Sequence, residues 1–522
     1  MKKRGKAYLV GAGPGDPGLV TLKGLEAIRE ADTIIYDFLA NRALLDHARE
    51  DARVVYVGKR GSEKTRTQEE INDLIIDEAR RGRTVVRLKG GDPFIFGRGG
   101  EEAAALVEAG VPFEVIPGVT SATAAPACAG VPLTHRDLAS TVTFVTGQED
   151  PRKGRSAVDW GSLVRGGGTL VFLMAWKNLP LIVKSLISNG MDRKTPALAV
   201  RWGSLPTQVS AAGTLSEIET LVREKEIKAP MVLVVGAVVS LRERLNWFEK
   251  RPLFGRRIVV TRASEQAGSF ASLLEARGAQ PLLFPTIKTT PPPRWRELDQ
   301  ALARLDTYDW AVFTSVNGVR YFFRRLRRRG LDLRELKGVR LCAIGPATAS
   351  ALRELGLNVD LTPKKFVAES VIEALRARGI KGRRFLLPRA LKAREVLPEA
   401  IRRLGGHIDV VPAYRTVRPV KQAALLRKTL REGGVDAVTF TSSSTVANFA
   451  ALFRKGELTE LLRDVKVACI GPVTAETARE AGLHVHIMPR RYTVPALADA
   501  IAEFFEEAGR PSVDPPAPSP RP

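Results

Sequence analysis

The chain is predicted to be α/β throughout, a two-lobed first half followed by a duplicated, two-lobed second half. Three observations predict this. Short apolar runs alternate with helical stretches from Ala7 onward, and their carboxyl ends open into glycine- and proline-rich turns, the pattern of strands joined by crossover helices. A segment beginning at Gly255 recurs from Gly382 with its landmarks in the same spacing. The 522 residues are 44% hydrophobic and 26% charged, a globular composition with length for about three or four ordinary cores.

The first strand, Ala7 to Val10, ends in Gly11-Ala12-Gly13-Pro14-Gly15-Asp16-Pro17-Gly18. A dinucleotide cradle would run straight into a helix N-terminus, whereas Pro14 and Pro17 remove backbone donors and make a stiff, open turn. Thr21 caps a helix through Glu30, and Thr33 to Asp37 forms the second strand with Asp37 at its carboxyl end. Val54 to Val57 is the third, with Lys59 just beyond, and Glu69 to Arg81 is helical. Val85 to Leu88 then runs into Gly90-Gly91-Asp92, followed by a helix from near Glu101. Paired glycines let backbone approach a ligand, and Asp92 suits a cationic or hydroxyl-rich one; a tight turn with a capping Asp fits the same residues. Ile116-Pro117-Gly118-Val119-Thr120-Ser121 is a fifth strand end. Pro14, Asp37, Lys59 and Asp92 thus share the edge where open α/β sheets carry their sites.

A second unit opens at Thr134-His135-Arg136-Asp137, with strands at Thr141 to Thr146, Thr169 to Met174, Ala197 to Val200 and Met231 to Val235. His135, in a loop between Thr and Arg, is read as a hydrogen-bonded structural residue, with an acid or base as the other reading.

The formal charge of +24 admits nucleic acid, anionic lipid or a polyanionic small substrate. The one dense cluster, Arg324 to Arg329, falls at a helix end before Gly330, where the helix dipole favours cations. No paired Cys/His finger, RNP-type strand or basic zipper occurs, so an acidic small substrate is expected and nucleic acid is not. No apolar run reaches about 18 residues, and the basic start lacks the apolar core of a secretory signal, so no membrane is expected and the cytoplasm is the expected location. Cys128, Cys342 and Cys469 share no metal-ligand spacing; they are read as buried apolar residues, and no metal is expected.

The motifs Val10 to Gly18, Tyr36-Asp37, Val57 to Arg60, Arg87 to Phe94, Pro117 to Ser121 and Pro132 to Arg136 together resemble the tetrapyrrole methylases, most closely uroporphyrinogen-III C-methyltransferase, over residues 6 to 248. The resemblance implies a two-lobed tetrapyrrole methylase fold that binds S-adenosylmethionine in the cleft and forms a homodimer through this domain. It implies that Pro14, Gly90, Gly91, Asp92, Ile95, Thr120, Ser121, Met174 and Gly203 line the cofactor site, with Asp37 as proton acceptor and Lys59 as proton donor. The family more often carries Thr-Ala where Thr120-Ser121 stands. Arg and Lys near the cleft would hold the substrate carboxylates. The dehydrogenase and ferrochelatase segment that precedes the methylase in some fused enzymes is not seen, and neither activity is expected.

In the second half, Gly255 to Ala263 matches Gly382 to Ala390 at an offset of 127 residues, as do Gly278 with Gly405, Pro285 with Pro412, and Phe313-Thr314-Ser315 with Phe440-Thr441-Ser442. Ile344-Gly345-Pro346 matches Ile470-Gly471-Pro472 at 126. A period this long is a duplicated domain, not a solenoid. Thr314, Ser315, Thr441 and Ser442 follow equivalent strands and are candidate substrate-binding residues; plain helix caps are the alternative. This half resembles uroporphyrinogen-III synthase over residues 254 to 506. The resemblance implies interleaved lobes, 254 to 286 with 414 to 506 and then 287 to 413, and assigns Tyr414 to assisting loss of hydroxide from hydroxymethylbilane; interlobe packing is the other reading of Tyr414. His484 and His486 are read as surface residues on one strand face.

The expected domains are 1–250, a methylase, 251–508, a synthase, and 509–522, a disordered Pro-rich tail. The expected function is cyclisation of hydroxymethylbilane to uroporphyrinogen III and its double methylation to precorrin-2, in the sirohaem and cobalamin branch. The alternatives are a methylase of another corrinoid intermediate, a second half that senses ligand without turnover, and a basic nucleic-acid binder.

Overall fold

Five apolar runs of the first 120 residues pair into one parallel sheet. They are β1 (Lys6–Gly11), β2 (Thr33–Tyr36), β3 (Arg53–Tyr56), β4 (Thr84–Lys89) and β5 (Phe113–Ile116), in the order β3-β2-β4-β1-β5. The computed structural model describes residues 5–58, 66–148, 158–262, 264–286, 288–363, 368–393, 395–417, 420–454 and 456–509. The chain forms two compact units, Met1–Ile258 with Ser272–Pro281 and Ala498–Pro522, and Val259–Ala271 with Leu282–Leu497.

Both faces of the first sheet are covered, as a parallel sheet requires. Val10, Ile34, Val86 and Leu88 face the helix Leu22–Glu30 through Ala27 and Ile28. On the other face Leu9, Ile35 and Val85 pack against Ile71, Ile75 and Leu106 from the helices Gln68–Arg80 and Gly99–Glu108. Thr21 caps its helix, accepting from the Gly24 N–H. The helix after the glycine turn starts at Gly99, two residues before the expected Glu101, because Arg98 adopts a left-handed conformation that turns the chain into it.

The second sheet of this unit holds β6 (Val142–Thr146), β7 (Thr169–Leu173), β8 (Pro196–Arg201), β9 (Val209–Thr214) and β10 (Met231–Val235), in the order β6-β7-β10-β8-β9. Only β6 and β7 are parallel; the other pairings are antiparallel. β9 escaped the sequence reading because Val209-Ser210-Ala211-Ala212-Gly213-Thr214 has little β-branched or aromatic character; its pairing with β8 holds it extended.

The remaining strands, all after residue 256, are β11 (Arg257–Val260), β12 (Gln280–Leu283), β13 (Lys288–Thr290), β14 (Trp310–Phe313), β15 (Arg340–Ala343), β16 (Arg384–Ala390), β17 (His407–Val417), β18 (Ala437–Phe440) and β19 (Lys466–Cys469). They form two sheets, β12-β11-β18-β19 and β13-β17-β16-β14-β15. The start and end of the repeat share one sheet and its middle makes the other, so the interleaving implied by the resemblance is realised. β17 runs on to Val417, three residues past the expected crossover at 414, because β13 pairs with Thr416 and Val417.

The Arg-rich cluster ends the helix Val316–Arg328 before Gly330, which sits at φ 76°. His484 and His486 do not lie on a strand; their segment makes one isolated bridge, Ile487 to Ala468, and the His486 Nδ1 accepts from the Val467 N–H. No helix among the described residues is long and apolar enough to cross a membrane. Of the expected tail, Gly509 ends the helix Val494–Gly509, and 510–522 lie outside the described residues.

Candidate active site

Strand register brings the glycine turns together. β1 lies between β4 and β5, with Gly11 opposite Lys89 and Val10 opposite Ile116, so three turns leave the sheet side by side. Gly13 and Gly91 then form an antiparallel bridge across the first two turns: the Gly91 N–H donates to the Gly13 carbonyl at 2.7 Å and the Gly13 N–H to the Gly91 carbonyl at 3.3 Å. Asp92 ties in the third turn. Its Oδ2 accepts from the Gly118 N–H at 3.0 Å and its Oδ1 from the Phe94 N–H at 2.8 Å. The turn-capping reading of Asp92 therefore holds.

Glycine is required at this crossing. A Cβ on Gly118 would sit 2.3 Å from the Gly91 carbonyl oxygen, and one on Gly11 2.5 Å from the Gly118 Cα. Gly91 itself is at φ 70°, a conformation glycine adopts at little cost.

Over this edge lies a cavity of about 600 Å³, within the size range of small-molecule sites. Pro14, Gly90, Gly91, Asp92, Ile95, Thr120, Ser121, Met174 and Gly203 all line it, and so does Asp37. Met174 and Gly203 arrive from the second sheet, just beyond β7 and β8. Gly203 admits the helix Ser121–Cys128, since a Cβ there would meet the Ala125 Cβ at 2.4 Å. Lys59 lies outside the described residues.

Backbone strain is concentrated here. Among the described residues six non-glycine residues have positive φ, and four of them, Phe96, Arg98, Met174 and Trp202, line the cavity. Each such residue costs about 1–3 kcal/mol and persists where surrounding packing holds it, a pattern typical of ligand sites.

Sequence reasoning missed the charges under the floor. On β4, Arg87 and Lys89 occupy the positions that alternation assigns to the buried face bearing Val85, and both are about 4% exposed while lining the cavity. Glu102, on the helix covering that face, is 1% exposed; its Oε1 accepts from Arg87 Nε at 3.0 Å, Lys89 Nζ at 2.9 Å and Gln68 Nε2 at 3.2 Å. The Arg87 Nη2 donates to Asp37 Oδ2 at 3.1 Å. Burial pulls the Lys89 ammonium below its usual range and neighbouring Arg87 adds to this, while Glu102 works against both. The available signal was two cations at period two in an otherwise apolar strand.

In the second unit, Tyr414 sits where β16 and β17 slip register: Arg389 faces Pro412 and Ala390 faces Tyr414, leaving Ala413 as the extra residue of a bulge. The Tyr414 ring stacks on Tyr321 at 5.7 Å, and its hydroxyl is 3.1 Å from the Ser315 hydroxyl. Ser315 also caps the helix Val316–Arg328 by accepting from the Gly318 N–H. Thr314 precedes it after β14. Thr441 and Ser442 hold the equivalent place after β18 in the other sheet, where Ser442 forms a capping box with Thr445. The two pairs stand on separate sheets, and both serines are caps.

The histidine at 135 is structural, its Nδ1 accepting from the Asp137 N–H at 3.2 Å. The three cysteines are buried, which pushes Cys128 up to about 11 and Cys342 and Cys469 to about 12. Among the described residues no group of His, Cys, Asp or Glu could hold a metal.

Two family models match: tetrapyrrole (corrin/porphyrin) methylases over residues 6–219 and uroporphyrinogen-III synthase HemD over residues 268–499. The chain is 36% identical over 502 residues to porphyrin biosynthesis protein HemD of Ruminiclostridium josui, covering 96% of this chain and 98% of that one. It is 42% identical over 359 residues to a uroporphyrinogen-III C-methyltransferase of Bacillus subtilis (strain 168), covering 69% and 73%. Against a siroheme synthase of Pseudomonas putida (strain W619) it is 48% identical over 249 residues, which span 48% of this chain and 53% of that protein. With a relative matched almost end to end, and with the methylase and synthase models falling on successive halves, the chain belongs to the family in which a tetrapyrrole methylase is fused to a uroporphyrinogen-III synthase.

Proposed function

We propose that the chain converts hydroxymethylbilane to uroporphyrinogen III in its second half and methylates that product twice to precorrin-2 in its first, on the sirohaem and cobalamin branch. The observation that carries the methylase reading is the Gly13–Gly91 bridge beneath a cavity that Asp92, Thr120 and Met174 also line.

S-adenosylmethionine fits this cradle. Glycines leave room for close backbone approach, and the carboxylates of Asp37 and Asp92 line the cavity that would receive the sulfonium cation. Pro14, Gly90, Gly91, Asp92, Ile95, Thr120, Ser121, Met174 and Gly203 are the proposed contacts. The bound sulfonium supplies a methyl group and departs as a neutral thioether, keeping the electron pair of the broken bond. An electron-rich pyrrole carbon provides the pair for the new C–C bond. Asp37 takes the proton lost from the macrocycle, and Lys59 is proposed to return one. Arg87, Lys89, Arg98 and Lys177 in the cavity lining supply cations for substrate carboxylates.

In the second half Tyr414 donates toward the departing hydroxide of hydroxymethylbilane, with Thr314, Ser315, Thr441 and Ser442 as proposed substrate contacts. Ring closure at the substituted carbon of the last pyrrole then inverts that ring. Holding a flexible linear octacarboxylate in one fold is the larger part of this task. The proposed domains are 1–250 and 251–509, with a tail after the helix that ends at Gly509. The protein is proposed to act as a homodimer through its methylase domain in the cytoplasm, without nucleic acid or membrane.

The test is mass analysis of products from purified protein given hydroxymethylbilane and S-adenosylmethionine. Dimethylated uroporphyrinogen III is expected; the absence of methylated product from both hydroxymethylbilane and supplied uroporphyrinogen III would overturn the methylase reading.

A further inference from the structure

The buried charges beneath the cavity form one connected group. Asp37 follows β2, Arg87 and Lys89 project from one face of β4, and Glu102 comes from the helix Gly99–Glu108, joined in the order Asp37–Arg87–Glu102–Lys89. The group contains two cations and two anions. Arg87 is held on every side: Nη1 donates to the carbonyls of Leu88 at 3.1 Å and Ile35 at 3.4 Å, Nε to Glu102 and Nη2 to Asp37.

Glu102 does not line the cavity and touches no space a substrate could enter. Three donors converge on its Oε1, while its Oε2 is buried with no hydrogen-bond partner. A buried carboxylate with one bare oxygen is costly. An apolar residue at this helix position would cover β4 as well, so packing alone does not account for a charge here.

We propose that Glu102 is a positioning residue for methyl transfer: it fixes Arg87 and Lys89 in the cavity floor and offsets their charge behind the Asp37 carboxylate. The inference rests on reading the cavity as the methylase site with Asp37 as proton acceptor. Without Glu102, the charges of Arg87 and Lys89 would stand behind Asp37 uncompensated. Among the described residues the other charged groups on this cavity are Asp92, Arg98 and Lys177; on β3, Tyr56 packs against Tyr36, immediately before Asp37.

The test is the pH profile of kcat for methylation of supplied uroporphyrinogen III in Glu102→Gln and Lys89→Gln proteins, with S-adenosylhomocysteine binding measured in parallel. Glu102→Gln keeps acceptor geometry but removes the charge, and the acid limb should move down by about one pH unit; Lys89→Gln should move it up by a similar amount. Opposite shifts with ligand binding retained support the proposal. If Glu102→Gln does not fold, the upward shift of Lys89→Gln decides the matter. Limbs that stay fixed or move together while S-adenosylhomocysteine still binds overturn this inference alone. Failure of the unmutated protein to bind S-adenosylhomocysteine overturns the cavity reading with it.

Discussion

The hydroxyl of Tyr414 lies 3.1 Å from that of Ser315, a residue 99 positions earlier that caps the helix following β14. A strand bulge turns Tyr414 toward this helix start, and stacking on Tyr321 holds the ring.

Tyr414→Phe keeps the stack and removes the hydroxyl. Hydroxymethylbilane turnover to uroporphyrinogen III should fall about a hundredfold, the scale of a lost general acid, while methylation of supplied uroporphyrinogen III is unchanged. Chromatography of the porphyrin isomers reads this out. Unaltered isomer III formation would assign Tyr414 to packing alone.

Gly118→Ala should disrupt the three-turn crossing. Its Cβ would meet Gly91 and Gly11 backbone atoms at 2.3 and 2.7 Å, and such overpacking costs about 1–3 kcal/mol. Calorimetric binding of S-adenosylhomocysteine should weaken about tenfold or more for a displacement of that energy. Gly100→Ala is the matched control. Nothing lies within 4 Å of its Cβ inside the helix Gly99–Glu108, so a gain of about 0.5–1 kcal/mol with unchanged binding is expected. Equal binding by both variants would remove the crossing from the site.

Met174 combines backbone strain with a place on the cavity wall, at φ 56°. Asn tolerates that conformation, so Met174→Asn should melt at the same temperature or higher. Its affinity for S-adenosylhomocysteine should nonetheless drop by about tenfold, for a loss of roughly 1.4 kcal/mol of contact. A variant that loses stability and keeps affinity would contradict both halves of this expectation.

Glu78 makes the first unit sensitive to acid. Burial by itself would raise its carboxyl, but the Thr33 hydroxyl, Arg83 and Arg53 outweigh this and hold it below the ordinary carboxylate range. A depressed folded-state pKa stabilises above the unfolded value, and the stabilisation fades as pH falls through the folded one. Glu78→Gln should therefore cost about 1–3 kcal/mol at pH 7, the scale for weakening a buried carboxylate's charged hydrogen bonds to partly exposed arginines, and progressively less below about pH 4.5. Thermal melts at pH 7 and pH 3.5 test this; a deficit that does not shrink in acid would show that geometry, not charge, is at stake.

What the sequence by itself determined is the chemistry that depends on local backbone. The proline-stiffened turn, the paired glycines before Asp92, the Thr120-Ser121 helix start and the duplicated Thr-Ser and Gly-Pro ends all declare themselves because φ, caps and close approach are set within a few residues. Short apolar runs also located nine of the ten strands described before residue 250, with β9 lost for want of β-forming side chains. Only the tertiary structure decided which of these pieces meet. The Gly13–Gly91 bridge follows from β1 lying beside β4, a strand order no local pattern encodes. The same holds for Arg87, Lys89 and Glu102. Each reads as an ordinary surface charge until a helix folds over the strand, and then mutual pairing is what makes their burial tolerable. Tyr414 and Ser315 meet for a like reason: a one-residue bulge in β17 aims the ring, and register emerges from packing between strands rather than from the strand itself.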